Sequence, residues 1–116
     1  KSTSRDMLFE ILMLRFDILN RYRKSILKMF DIFKYQPKNF ILLLPSLVKS
    51  ISMMAEVANI ETKGIIGNIK ANGILIVYFS TFLTWVKDEN STLDKTMNAL
   101  DNYLERAENI LKLLKN

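Results

Sequence analysis

The 116-residue chain contains neither cysteine nor histidine. Without cysteine there is no disulfide framework and no thiolate metal site; without histidine the commonest general base, proton shuttle and zinc ligand is gone. Ser-His-Asp, Cys-His and zinc-hydrolase chemistries are therefore excluded, and no metal or cofactor is expected. A cysteine-free composition suits a reducing cytoplasm, the expected location. Glycine (three) and proline (two) are also scarce. No Gly/Ser-rich or Pro-rich linker divides the chain, and nothing repeats at a fixed period. With 49% apolar residues, the chain is long enough for one domain with a real core and too short for two.

Acidic residues are scarce in one region. Arg15, Arg21, Arg23, Lys24, Lys28, Lys34 and Lys38 face only Asp17 and Asp31, so this segment carries the whole net charge of +5. Such a segment is either the solvated side of a helix or a surface for phosphate or anionic lipid. The chain starts at Lys1 without a signal-peptide pattern and is expected to be a fragment or a processed product.

What is present reads as helices. Thr3-Ser-Arg-Asp6 has capping-box spacing, so a helix is expected from there through Asn20, apolar on nearly all sides and covered by several neighbours. Tyr22, Ile26, Met29, Phe30 and Phe33 follow the 3.6-residue period in a second helix that ends before Gln36-Pro37. A third runs from Lys38 to about Asn59, with a kink or break expected at Pro45. Asn59 to Gly67 is the expected connection. The last helix carries Leu93, Met97, Leu100, Leu104, Ala107, Leu111 and Leu114 at alternating spacings of four and three.

Between them lies Gly73 to Val86, "GILIVYFSTFLTWV". Its uncharged run from Ala71 to Val86 is shorter than the roughly 20 residues of a membrane span and contains Asn72, Ser80, Thr81 and Thr84. It is also longer than an ordinary strand and has no partner strand. As a helix it has two sides. Gly73, Val77, Ser80 and Thr84 form a small-residue stripe suited to close helix packing, while Tyr78, Phe82 and Trp85 lie on the roughly opposite side, where they fill a core or line a cavity.

"TWVKDENST" followed by "LDKTMNALDNYLERAENI" resembles the C-terminal, ligand-sensing and dimerisation domain of TetR-type transcriptional regulators. The likeness is strongest to a bacterial subgroup similar to the TetR-like lipid-binding proteins of ubiquinone biosynthesis. It runs through Arg5-Asp-Met-Leu-Phe9, Arg15-Phe-Asp17, Pro45 and the Met-rich helix with Met53 and Met54, Trp85 with Asp88, Leu93, Thr96-Met97, Ala99-Leu-Asp101, Leu104 and Arg106-Ala-Glu108. The resemblance implies an all-α bundle of five to six helices, TetR C-terminal-domain-like, spanning 1–116 as a single sensor and dimerisation domain. It further implies an N-terminal helix-turn-helix domain, outside this sequence, through which alone a homodimer would contact DNA.

On this reading Phe30, Phe33, Met53, Met54, Tyr78, Phe82 and Trp85 are candidates for the wall of a pocket for an apolar or amphipathic small molecule. The dimer-interface candidates are Gly73, Val77, Ser80, Thr84, Leu93, Met97, Leu100, Leu104 and Leu111. The alternative is a lipid- or quinone-binding accessory protein using the same cavity, its basic segment resting on anionic lipid as a peripheral membrane contact. Catalysis would have only carboxylates to work with, Asp94, Asp101, Glu105 and Glu108, and these sit beside an apolar seam on a solvated helix face. No enzyme activity is expected.

Overall fold

A computed structural model describes residues 3–115. They form five helices: α1 (Ser4–Arg21), α2 (Arg23–Tyr35), α3 (Pro37–Val57), α4 (Gly64–Lys87) and α5 (Asp94–Lys115). No strand occurs among the described residues, as the all-α expectation requires.

The Thr3 hydroxyl accepts the Asp6 N–H at 3.1 Å and opens α1, relieving one of the donors every helix start leaves unpaired. Leu8, Leu12 and Phe16, spaced four apart, are its buried stripe. The helix is not covered all round, however, since Leu14 and Ile18 are exposed. At Tyr22 the chain bends and α2 follows at once, the Tyr22 N–H closing a tighter turn on the Leu19 carbonyl.

The break expected at Pro45 does not occur: α3 runs through it uninterrupted. Pro45 lies on the exposed side, where water can take the carbonyl that its missing N–H leaves free. The connection to α4 is also shorter than expected. Gly64 (φ +76°) already opens the helix, in a conformation that costs glycine nothing. Gly67 lies inside the first turn, where a Cβ would fall 2.4 Å from the backbone carbon of Thr62.

Helix α4, at 24 residues, is longer than its uncharged run, so shortness does not by itself exclude a span. By length and composition alone, both α3 and α4 could cross a membrane. Within the fold α4 is central, touching α1, α3 and α5. Its buried residues include Ile74, Val77, Tyr78, Thr81 and Trp85, and the Thr81 hydroxyl is satisfied by the Val77 carbonyl at 2.8 Å. Leu93, Leu100 and Leu104 of the last segment close against this core.

The joint into α5 has an unusual cap. Leu93 precedes the helix with φ +55° and has no side-chain oxygen to offer. Asp88, itself buried, takes over from five residues upstream. One of its oxygens accepts both the N–H and the hydroxyl of Thr96 at 2.8 Å, and the other accepts the Asn90 N–H at 3.1 Å.

The α2–α3 hairpin is peripheral: from Asp17 to Ser50 not one residue is buried. The radius of gyration, 14.6 Å, exceeds the roughly 13.4 Å of a compact chain this long.

Candidate functional site

The aromatic residues assemble into two lines along α4. Phe30 meets Phe82 edge to face at 5.5 Å, and Phe82 lies 5.5 Å from Trp85. In the other line Phe33 leads to Phe40, Phe40 to Phe79 and Phe79 to Tyr78, at 5.9, 5.4 and 6.1 Å. Tyr78 closes on Phe16 at 5.3 Å. Of the pocket candidates, Phe30, Phe82 and Trp85 are therefore brought together. Phe33 and Tyr78 are linked only through Phe40 and Phe79, which the sequence reading did not single out. Met54 is half-buried against the core, and Met53 is exposed and turned away. Ring stands against ring along both lines, so this region is packed by its own side chains.

Two arginines fasten the aromatics. The Arg15 guanidinium donates to the Tyr78 hydroxyl at 3.1 Å and to Ser50 Oγ at 2.7 Å, tying α1 to α4 and α3. Arg23 stacks 4.7 Å from the Trp85 ring centroid and donates to the Val86 carbonyl at 2.9 Å, one of the orphan acceptors at the end of α4. The Asn20 side-chain oxygen accepts from both Arg23 and the Trp85 indole. Arg15 and Arg23 are thus structural members of the basic segment, while Arg21, Lys24, Lys28, Lys34 and Lys38 remain exposed.

The open volume lies elsewhere, on the outer side of α4 and α5. A groove of about 660 Å³ runs between them and the start of α1, with Gly73, Val77 and Ser80 along its floor. Ile69 and Ile76 form one wall; Ile110, Leu111 and Leu114 form the other. A second depression of about 450 Å³, lined by Leu83, Thr84, Lys87 and Lys95, joins the first at Ser80 and Tyr103. Together they follow the antiparallel α4–α5 pair as one strip.

At the α1 end Arg5 bridges to Asp101, with its guanidinium 2.9 Å from the carboxylate and 3.1 Å from the Asp101 carbonyl. Among the described residues no three His, Cys, Asp or Glu side chains gather as a metal site.

The dimer-interface candidates divide. Gly73, Ser80, Thr84 and Leu111 line the strip, and Met97 is exposed on α5. Val77 and Leu104 are almost wholly buried and reach the groove only as its floor. Leu93 and Leu100 are closed inside the chain's own core. Their heptad spacing reflects packing of α5 on α4, since the side of a helix that meets its own bundle follows the same period as one that meets a partner.

The strip's prominent residues, Ile76 and Ile110, are those the seam did not name. No protein-family model, curated protein or solved structure matches the chain.

Proposed function

We propose that the chain is the small-molecule-sensing and dimerisation domain of a bacterial TetR-type transcriptional regulator. On this reading it works in the cytoplasm as a homodimer, and an N-terminal helix-turn-helix domain makes the DNA contact. The observation that carries the reading is the α4–α5 strip: a small-residue floor at Gly73 and Ser80 between walls that expose Ile76, Leu83, Ile110 and Leu114. Two such helix pairs, related by a two-fold axis, would bury these residues in a four-helix bundle.

Sensing would use the peripheral α2–α3 hairpin. An apolar ligand that enters by parting Phe30 from Phe82 replaces ring contacts with its own. It shifts the hairpin against α4 by no more than its preference for the open arrangement. Trp85, enclosed by Arg23 and Phe82, reports the event. Its emission is expected to change saturably on titration with quinones, fatty acids or hydrophobic drugs, and a flat response to all three classes would count against sensing.

A lipid- or quinone-binding accessory protein is the second reading, favoured by the exposure of α3, whose apolar window is only 11% buried. It predicts transfer of a fluorescent isoprenoid quinone between vesicles, which a regulator would not catalyse.

A further inference from the structure

We infer that the outer face of the α2–α3 hairpin docks on an anionic lipid surface, α3 lying flat in the headgroup boundary. The inference deepens the accessory-protein reading, in which the basic segment rests on anionic lipid, and its failure would leave the quinone-transfer test of that reading untouched. Helix α3 has a mean hydropathy of 1.6 over its most apolar window, yet it sits at the periphery. Ile41, Leu42 and Met53 are 60%, 72% and 59% exposed. A soluble surface with no partner rarely shows so much contiguous aliphatic side chain.

Charge identifies the partner. Over the hairpin, residues 23–57, six side chains are basic and two acidic, Asp31 and Glu56; Asp31 lies 3.6 Å from Lys34, and Arg23 is held by Trp85 and the Val86 carbonyl. Lys38 and Lys49 share the outward side of α3 with Leu42 and Pro45, at helical spacings, and bracket the apolar stretch. Lys24 and Lys28 line the exposed side of α2. Aliphatic side chains enclosed by lysines match acyl chains beneath anionic headgroups, with the lysine stems laid along the apolar surface and their ammonium groups in water. Tyr35 at the hairpin turn, 87% exposed, places an amphipathic ring where headgroups would be. Nucleic acid would engage the lysines but would leave Ile41 and Leu42 without an apolar partner.

The position of Lys49 inside α3, not the helix's length, argues against crossing. Ten residues lie between Lys38 and Lys49, a rise of about 17 Å along the helix, so a crossing α3 would draw Lys49 into the roughly 30 Å of hydrocarbon. The stretch between them can sink into an interface but cannot span it.

The test is flotation of the full chain with vesicles of equal parts phosphatidylglycerol and phosphatidylcholine, and with phosphatidylcholine alone. Binding is expected to the first, to weaken with salt, and to be at least tenfold poorer to the second. Each lysine near an anionic surface contributes about fivefold in partition, so Lys28→Gln with Lys38→Gln lowers binding about 25-fold. Leu42→Asp lowers it at least tenfold with the helix content unchanged. Leu42→Trp keeps the anchor and supplies an exposed fluorophore whose emission shifts to the blue on anionic vesicles.

No binding of the unaltered chain, or binding indifferent to Leu42→Asp, overturns the proposal. So does a fall in sedimenting mass caused by Leu42→Asp in the absence of lipid, because the face is then an interface between copies. Capture by duplex DNA with no vesicle binding overturns it as well.

Discussion

Leu93 occupies the position before α5 where a helix wants an oxygen, and Asp88 supplies it from a distance. Burial by itself pushes the Asp88 carboxyl up. The Thr96 N–H and hydroxyl, then the Asn90 N–H and the charge of Lys95, act the other way and leave it below its ordinary value. Because the folded state favours the charged form, this group's contribution is complete above the unfolded carboxylate range near about pH 4. It is lost as pH falls through the still lower folded value. Asp88→Ala leaves the Thr96 and Asn90 donors unpaired and is expected to cost about 2 kcal/mol at neutral pH. Urea unfolding of the two proteins, repeated at falling pH, should show the gap closing below about pH 4. A gap of constant size would mean that the loss comes from packing rather than charge.

At the scale of elements, periodicity made most of the fold legible. The helix start at Thr3, the end before Gln36 and the apolar face of the last helix all follow from caps and apolar spacing. What the period could not convey was which neighbour covers a face. Leu93 and Leu100 read equally well as a dimer seam, and Arg15 and Arg23 as surface charge, because a side chain's partner from another helix leaves no mark on its own spacing. Phe40 and Phe79 escaped notice for the same reason.

Glycine shows the limit most plainly. Gly67 and Gly73 are alike in sequence, but a methyl at Gly67 meets the Thr62 backbone, whereas one at Gly73 meets nothing within 4 Å. Gly67→Ala should therefore lower the melting temperature, despite the helix propensity it gains, with a loss of about 1–3 kcal/mol. Gly73→Ala in dilute protein should gain about 0.5–1 kcal/mol. Calorimetry of the two variants reads the opposite signs directly, and equal signs would refute the assigned entry into α4.

Over the whole molecule, two exposed apolar faces lie on different parts of the bundle, and they differ in the ground on which each is assigned an occupant. The hairpin face carries a basic rim, while the α4–α5 strip has a small-residue floor that lets helices approach closely. If the strip pairs two chains, its exposed residues behave oppositely in the two states. Ile76 is 65% exposed in the single chain, where replacing it changes stability by no more than about 0.5 kcal/mol. Buried across a two-fold axis, the same side chain is worth about 1.5–3 kcal/mol, and a lysine there would be forced toward Lys70 and Arg106, which already line the groove.

Ile76→Lys should therefore weaken association by at least tenfold, seen as a shift from dimer to monomer in sedimentation, while the far-ultraviolet spectrum is unchanged. The unaltered chain should melt at higher temperature as its concentration rises, since association stabilises only the folded form. The variant should lose that dependence. Leu42→Asp, on the hairpin, is the matched control and should leave the mass of the dimer intact. A chain that sediments as a monomer with Ile76 in place would remove the pairing on which the regulator reading depends.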